Sequence, residues 1–300
     1  MSKKTLIVVL GPTGVGKTAV GIELAKYFDT EIISSDSRQI YKELKTGTAV
    51  PSNKELAAVR HHLIRTVSIH DDYNASRFES DATEILEKLF KTKEQVIMAG
   101  GSGMYIDAVC YGIDELPSAD HSLREQLKKQ LQEEGIEKMR LQLKEADPDY
   151  YHRADLNNPK RILKALEISI ITGKPYSSLL TNKPKQRNFS FLKIGLNMDR
   201  QKLYENIDRR VDWMIANGLV EEAQKYYPYR HLNALNTVGY KEIYRFLDQK
   251  TDFEEAVRLI KRNSRHYARR QLTWFRRYND IEWFHPEDTK AMIRYITHSL

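Results

Sequence analysis

Residues 5–18 read TLIVVLGPTGVGKT, and this stretch decides the fold. Thr5 to Leu10 is a continuous, β-branched apolar run ended by Gly-Pro, the pattern of a strand buried on both faces. The next eight residues, Gly11-Pro12-Thr13-Gly14-Val15-Gly16-Lys17-Thr18, match the phosphate-loop pattern G-x-x-x-x-G-K-[ST] at every position. From Thr18 to Phe28, Val20, Leu24 and Phe28 fall on one helical face, so the loop lies between a strand and a helix, the context the motif needs. Glycines let the backbone curl so that N–H groups point inward, and the helix N-terminus adds partial positive charge. Lys17 supplies a full charge and Thr18 a hydroxyl for Mg²⁺. A di- or triphosphate is the expected ligand; the loop itself suits ATP, another nucleotide or a different diphosphate equally.

Outward from the loop the same rhythm repeats. Glu31 to Ser34 reads as a second strand, leading into the polar turn Ser35-Asp36-Ser37-Arg38. His62 to Ile69 reads as strand, and Phe78 to Phe90 as an amphipathic helix with Phe78, Ala82, Ile85, Leu86 and Leu89 at helical spacing. Gln95 to Ala99 is another buried strand, closed by Gly100-Gly101-Ser102-Gly103. This alternation predicts an α/β fold: a P-loop NTPase-like parallel sheet core flanked by helices. Near Pro117 the rhythm stops, and 118–172 is helical and charged. A polar linker, Asn182 to Asn188, precedes a restored strand at Phe191 to Leu196, and from Arg200 onward the chain is mostly helical. The expectation is a core of 1–117 and 187–300 interrupted by a helical insertion, 118–186; two domains in series is the alternative arrangement.

Composition excludes several classes. A single cysteine, Cys110, rules out an intramolecular disulfide and a cysteine-based zinc site, and fits a reducing, cytoplasmic setting. No apolar run approaches the roughly 20 residues that span a bilayer, so no membrane partner is expected. The 48 Lys+Arg against 41 Asp+Glu give a net charge of +7. That excess is local. Arg258 to Arg277 holds eight Lys/Arg and no acid, so the rest of the chain sums to about −1. Arg258, Arg262, Arg265, Arg269 and Arg276 recur at helical spacing, with His266, Tyr267, Trp274 and Phe275 interleaved. Phosphate-backbone contact and base stacking require such a stripe. A solvated charged face is the bland alternative, although such faces usually mix signs.

Two further residues stand out. The strand at 95–99 ends in Gly-Gly, so Asp36 is the best strand-end acid, which suits a small transferase or kinase whose carboxylate activates an acceptor. An Asp in Ser-Ser-Asp-Ser can equally be a turn residue. On the helix starting near Arg200 the apolar stripe is Leu203, Ile207, Val211 and Met214; Arg209 points away from it and Arg210 lies on its edge. A guanidinium there needs an anion, either a structural carboxylate or a pyrophosphate. The Gly100–Gly103 turn, at a strand's carboxyl end, should line the same crevice.

Taken together, the motifs resemble those of the tRNA dimethylallyltransferases, the IPP transferase family, which prenylate adenosine 37 beside the anticodon. The resemblance rests on residues 11–18, Ser-Ser-Asp-Ser-Arg-Gln-Ile-Tyr at 34–41, Gly-Thr-Ala at 47–49, Gly-Gly-Ser-Gly-Met-Tyr at 100–105 and Asn-Pro-Lys-Arg-Ile-Leu-Lys-Ala-Leu-Glu at 158–167. Val-Gly-Tyr at 238–240 and Arg-Arg-Gln-Leu-Thr-Trp-Phe at 269–275 complete it. It implies transfer of a dimethylallyl group from dimethylallyl diphosphate to adenine N6, with release of pyrophosphate. It makes Asp36 the general base, puts Thr13, Lys17 and Arg210 on the pyrophosphate and Thr18 on Mg²⁺, the one cofactor expected. Asp36, Ser37, Arg38 and Gln39 would touch the tRNA, as would Ser102, Arg124 and the run Lys160, Arg161, Ile162, Leu163 and Lys164. Arg269 and Trp274 join them from the basic stripe. The insertion would close over the anticodon stem-loop, and the protein would act as a monomer. Two positions depart from the family pattern: Ser102 where Thr is usual, and Val50 where Lys is common. Rival readings are prenylation of free AMP or ATP, a small-molecule kinase, and a non-catalytic RNA-binding module.

Overall fold

A computed structural model describes residues 4–114, 116–117, 120–181 and 183–300. The first half contributes β1 (Thr5–Leu10), α1 (Lys17–Tyr27), β2 (Ile32–Ser34), α2 (Asn53–Ala58), β3 (His61–His62), α3 (Ala75–Leu89), β4 (Gln95–Gly100) and α4 (Gly103–Tyr111). Next come α5 (His121–Ala146), α6 (Pro148–Arg153) and α7 (Pro159–Thr172). The chain then returns through β5 (Ser190–Leu196), α8 (Arg200–Ala216), α9 (Leu219–Lys225), α10 (Tyr240–Leu247), α11 (Phe253–Phe275), β6 (Ile281–Phe284) and α12 (Thr289–Ser299).

The strands form one six-stranded sheet in the order β3-β2-β4-β1-β5-β6, parallel throughout. Every residue of β1 is buried, as its unbroken apolar run predicts. Its alternate residues serve opposite faces. Ile7 and Val9 join Leu24 of α1, Ile207 of α8 and Ile296 of α12 in one core. The connection after β1 leads toward one edge and that after β4 toward the other, so the loops following these two neighbours flank the crevice where ligands bind in such sheets.

One strand expectation needs correction. His62–Ile69 is not a strand: β3 is only His61–His62, Leu63 and Arg65 take positive φ, and pairing resumes only in an isolated bridge between Tyr41 and Val67. From Arg200 onward the chain is mostly helical, as expected, with Ile281–Phe284 adding an edge strand beside β5. Lys193 of β5 is buried because it is paired, bonding Asp280 at 3.0 Å under the Tyr111 and Tyr278 rings.

The chain divides into two units, one reaching Tyr111 and resuming at Gln186, the other spanning Gly112–Lys185. The expected start of the insertion at 118 falls outside the described residues, and the division comes earlier, at Gly112. The unit Gly112–Lys185 has its own apolar core of Leu127, Met139, Leu143, Ile162, Ala165 and Leu166. Its longest helix, α5, is broken at Gly135. Among the described residues, no helix is long and apolar enough to cross a membrane.

Candidate active site

The loop after β1 turns into α1 at Gly16, whose φ of 98° is left-handed and suits glycine alone among common residues. Its interior is partly furnished by the protein. Thr13 N–H donates to Gln271 Oε1 at 2.8 Å, and Lys17 Nζ donates to the Pro12 carbonyl at 2.8 Å. Burial pulls the Lys17 ammonium down to about 7, against the nearby charge of Asp36 and with that of Arg210. A buried lysine so destabilised is poised to take an anion.

Asp36 follows β2 at the same end of the sheet. Its Oδ1 accepts from the N–H groups of Arg38 at 2.8 Å and Gln39 at 3.3 Å, so it is a turn residue. Among the described residues Oδ2 has no hydrogen-bond partner, and Asp36 lines two cavities of about 330 Å³ each. The turn and the chemistry are therefore compatible uses of one carboxylate: one oxygen fixes it, the other is left for a substrate.

Arg210 comes from α8, whose Leu203, Ile207, Val211 and Met214 are buried as the stripe predicts. Arg209 is exposed, and Arg210 turns inward to bond Thr13 Oγ1 and the Thr48 carbonyl, each at 3.2 Å. Burial lowers the Arg210 guanidinium from its ordinary value while Asp36 opposes the shift. No carboxylate among the described residues forms an ion pair with Arg210 or with Lys17. Of the two anions the sequence allowed for Arg210, a structural carboxylate is thus not found among the described residues.

Both cavities are walled by Thr13, Asp36, Arg210 and Tyr267. One continues along the phosphate loop to Lys17 and Thr18. The other continues past Ile207, Val211 and Met214 to Arg38, Lys241 and Arg270. A diphosphate suits the first, and a nucleic acid base with its flanking phosphates suits the basic rim of the second.

The other predicted residues fare differently. Ser102 Oγ accepts from Ser37 N–H at 2.9 Å, clasping the Gly-Gly-Ser-Gly turn to the Asp36 turn. Arg38 bonds the carbonyls of Asn233 and Ala234, and Gln39 those of Thr48 and Ala49. In the inserted unit, Lys160 and Arg161 are exposed. Ile162 is corrected: its side chain is fully buried in that unit's core, so it offers none to an RNA surface, and Leu163 packs against the same core. Arg124 donates through Nε and Nη2 to the buried Glu167, at 3.2 and 2.7 Å, so its charge is already spent. Lys164 is half-buried and lowered by that burial, with Glu167 opposing.

The basic stripe is also corrected, because four of its eight cations are paired with acids. Lys261 pairs with Asp212 and Arg265 with Asp208, both on α8; Arg277 pairs with Asp107 of α4, and Arg258 with Glu255 of its own helix. Arg262, Arg269, Arg270 and Arg276 are exposed and form no ion pair among the described residues. Trp274 is taken up in the fold: its Nε1–H donates to Asp107 at 3.1 Å and Arg277 covers its ring at 3.8 Å. The aromatic that does reach the cavities is Tyr267, whose hydroxyl is pushed up to about 12 by burial and by Asp36.

The IPP transferase family model matches residues 39–278. The chain belongs to the IPP transferase family. Its relatives in the family match it from end to end. The tRNA dimethylallyltransferase 1 of Bacteroides fragilis is 49% identical over 300 residues, covering all of both chains. The tRNA dimethylallyltransferase of Christiangramia forsetii is 50% identical over 292 residues, covering 97% of each. Among solved structures, the full-length tRNA isopentenylpyrophosphate transferase of Bacillus halodurans is 34% identical with a TM-score of 0.72, over 99% of this chain and 96% of that one. A eukaryotic dimethylallyltransferase solved in snapshots of its action on tRNA is 27% identical with a TM-score of 0.81, over 98% of this chain and 78% of that one. The sheet described above is thus this family's P-loop-like fold.

Sequence reasoning missed Gln271 as a site residue. Buried on α11, it bridges the phosphate loop to the Gly101 carbonyl, donating through Nε2 at 2.9 Å. Only its place within Arg-Arg-Gln-Leu-Thr-Trp-Phe could have marked it.

Proposed function

We propose that the chain transfers a dimethylallyl group from dimethylallyl diphosphate to N6 of adenosine 37, next to the anticodon of tRNA, releasing pyrophosphate. The observation that carries this reading is the shared wall of the two cavities. Arg210 stands there with Asp36, whose Oδ2 has no hydrogen-bond partner among the described residues, and Lys17 lines the phosphate-loop cavity beside them; neither cation forms an ion pair with a carboxylate among the described residues. Family membership, with relatives that carry this activity in their names, supports the choice of substrates.

The step balances on these groups. The N6 lone pair forms a bond to the allylic carbon, the carbon–oxygen bond breaks with its electron pair going to pyrophosphate, and Asp36 Oδ2 takes the N6 proton. An exocyclic adenine amine is a weak nucleophile, so the base contributes about 10²–10⁴-fold. Negative charge grows on the leaving group, where Lys17, Arg210, the Thr13 hydroxyl and the loop N–H groups wait. Thr18 would give Mg²⁺ its protein ligand, and the ion would supply further charge neutralisation for the diphosphate. The adenine must leave its stack to reach Asp36, so we expect an extruded nucleotide, with the Tyr267 ring beside it. Arg262, Arg269, Arg270 and Arg276 would hold backbone phosphates.

The test is direct. The protein, Mg²⁺, dimethylallyl diphosphate and an unmodified anticodon stem-loop are incubated, and the nucleosides are digested and weighed. The expected product is an adenosine heavier by one dimethylallyl group. Its absence, with ATP consumed when ATP is offered instead, points to a kinase.

A further inference from the structure

Arg210 is held on one side by the Thr48 carbonyl, so the turn carrying that carbonyl controls where the guanidinium sits. The turn's own bonds are local: Thr48 Oγ1 to the Leu44 carbonyl at 3.1 Å, and Ala49 N–H to the Thr46 carbonyl at 3.0 Å. From outside the turn, Gln39 Nε2 donates to the Thr48 and Ala49 carbonyls at 3.3 and 3.0 Å, Thr46 Oγ1 donates to the Asn217 carbonyl at 3.4 Å, and the turn's N–H groups are anchored by Glu222 on α9. Oε2 accepts the N–H groups of Lys45 at 2.9 Å and Thr46 at 3.0 Å, and Oε1 accepts that of Gly47 at 2.9 Å. Three successive N–H groups converging on one anion form a nest, here filled by the protein's own carboxylate. Oε1 also accepts from the Tyr240 hydroxyl at 2.5 Å. Tyr240 is fully buried, and burial with the Glu222 charge raises its hydroxyl, so it stays a donor. Its ring lies so close under the turn that a Cβ on Gly47 would come within 2.6 Å of it.

We infer that Glu222 is a positioning residue for pyrophosphate departure: by holding the N–H groups of residues 45–47 it fixes the Thr48 carbonyl, which aims Arg210 beside Thr13. The inference rests on the proposed role of Arg210 in binding the diphosphate. A long guanidinium side chain serves a developing charge only if it is already in place, because ordering it later costs rotamer entropy. A glutamine cannot replace Glu222 in this work. It is nearly the same size, but its amide nitrogen would meet the peptide N–H groups donor to donor.

A double-mutant cycle tests this, read as pyrophosphate affinity by calorimetry. Glu222→Gln is expected to weaken pyrophosphate binding about tenfold while leaving anticodon stem-loop affinity unchanged. In an Arg210→Ala background the same change should cost nothing further. Equal losses in both backgrounds would mean that the turn merely shapes the cavity, and no loss in the parent would mean that Glu222 holds nothing of consequence; either overturns the inference. Should Glu222→Gln fail to fold, Tyr240→Phe runs the same cycle with a smaller expected loss. Calorimetry needs no turnover, so a chain that binds pyrophosphate yet transfers no prenyl group fails the functional reading while this cycle still decides the role of Glu222. A parent chain that does not bind pyrophosphate overturns both.

Discussion

Lys17 and Arg210 face inward with no carboxylate bonded to either among the described residues, whereas the cations of α11 stand on an exposed helix and half of them are already paired. The first set is small and expensive, since each desolvated charge has only the unbonded Asp36 carboxylate nearby to offset it. The second set is large and cheap, because an exposed ion pair contributes only about 0–1 kcal/mol. The contrast shows that the position of a charge decides its use. On the proposed reading, the two inward cations would hold the diphosphate, and the four arginines without an ion pair among the described residues would face the tRNA backbone. Of the four paired ones, three are held by Asp208, Asp212 and Asp107 of other helices, and Arg258 is held by Glu255 of its own helix.

The comparison breaks first if the inward pair is dispensable. Arg210→Ala should lower kcat/KM by about 10²–10³-fold, the cost of removing one preorganised donor from a developing oxyanion, measured with saturating stem-loop. A loss below about fivefold would place Arg210 among the helix-docking cations.

It sharpens through pH. Lys17 titrates near 7 in the free protein, and a bound diphosphate raises it, so binding above pH 7 takes up a proton. Pyrophosphate affinity should therefore fall as pH rises past 7, by at most about tenfold per unit from this group. After correction for the ligand's own ionisation, Lys17→Met should remove that dependence. Below pH 7 the lysine is charged both folded and unfolded and its burial costs stability, so Lys17→Met should melt higher than the parent there. The gap should narrow as pH rises toward 10.5, the unfolded value, because the folded parent sheds its proton first. A parent and variant with identical profiles would remove Lys17 from the site.

The smallest effect lies on α11. Arg269→Ala should flatten the slope of log stem-loop affinity against log salt by about 0.7–0.9, one released counter-ion. Arg265→Ala, whose charge is held by Asp208, should leave the slope nearly unchanged. Equal changes would erase the distinction between free and paired cations.

How much of this was legible follows from how local each feature is. β1, the phosphate loop and α1 are contiguous, so residues 5–28 announce a strand, a turn and a helix in one line. Asp36 was legible as a strand-end acid and Arg210 as an edge residue of an apolar stripe, because each signal lies within one element. β3 and β6 were not, with two and four residues too few to show a period. Most of the pairing along the stripe was hidden because Asp208, Asp212 and Asp107 come from helices far away in sequence. Ile162 sits in a basic run yet points into the core, since a helix turns about 100° per residue whatever its neighbours carry. Glu222 and Gln271 bond backbone groups of distant loops; no motif within one element records this for Glu222, and only the Arg-Arg-Gln-Leu-Thr-Trp-Phe run carries a trace of it for Gln271.

The most direct test of the central claim is single-turnover prenyl transfer by Asp36→Ala on a prebound anticodon stem-loop. With one oxygen fixing the turn and the other free for the N6 proton, the expected result is stem-loop affinity close to that of the parent and a rate lower by about 10²–10⁴-fold. A variant that transfers the dimethylallyl group at the parental rate would contradict the account and leave Asp36 a turn residue only.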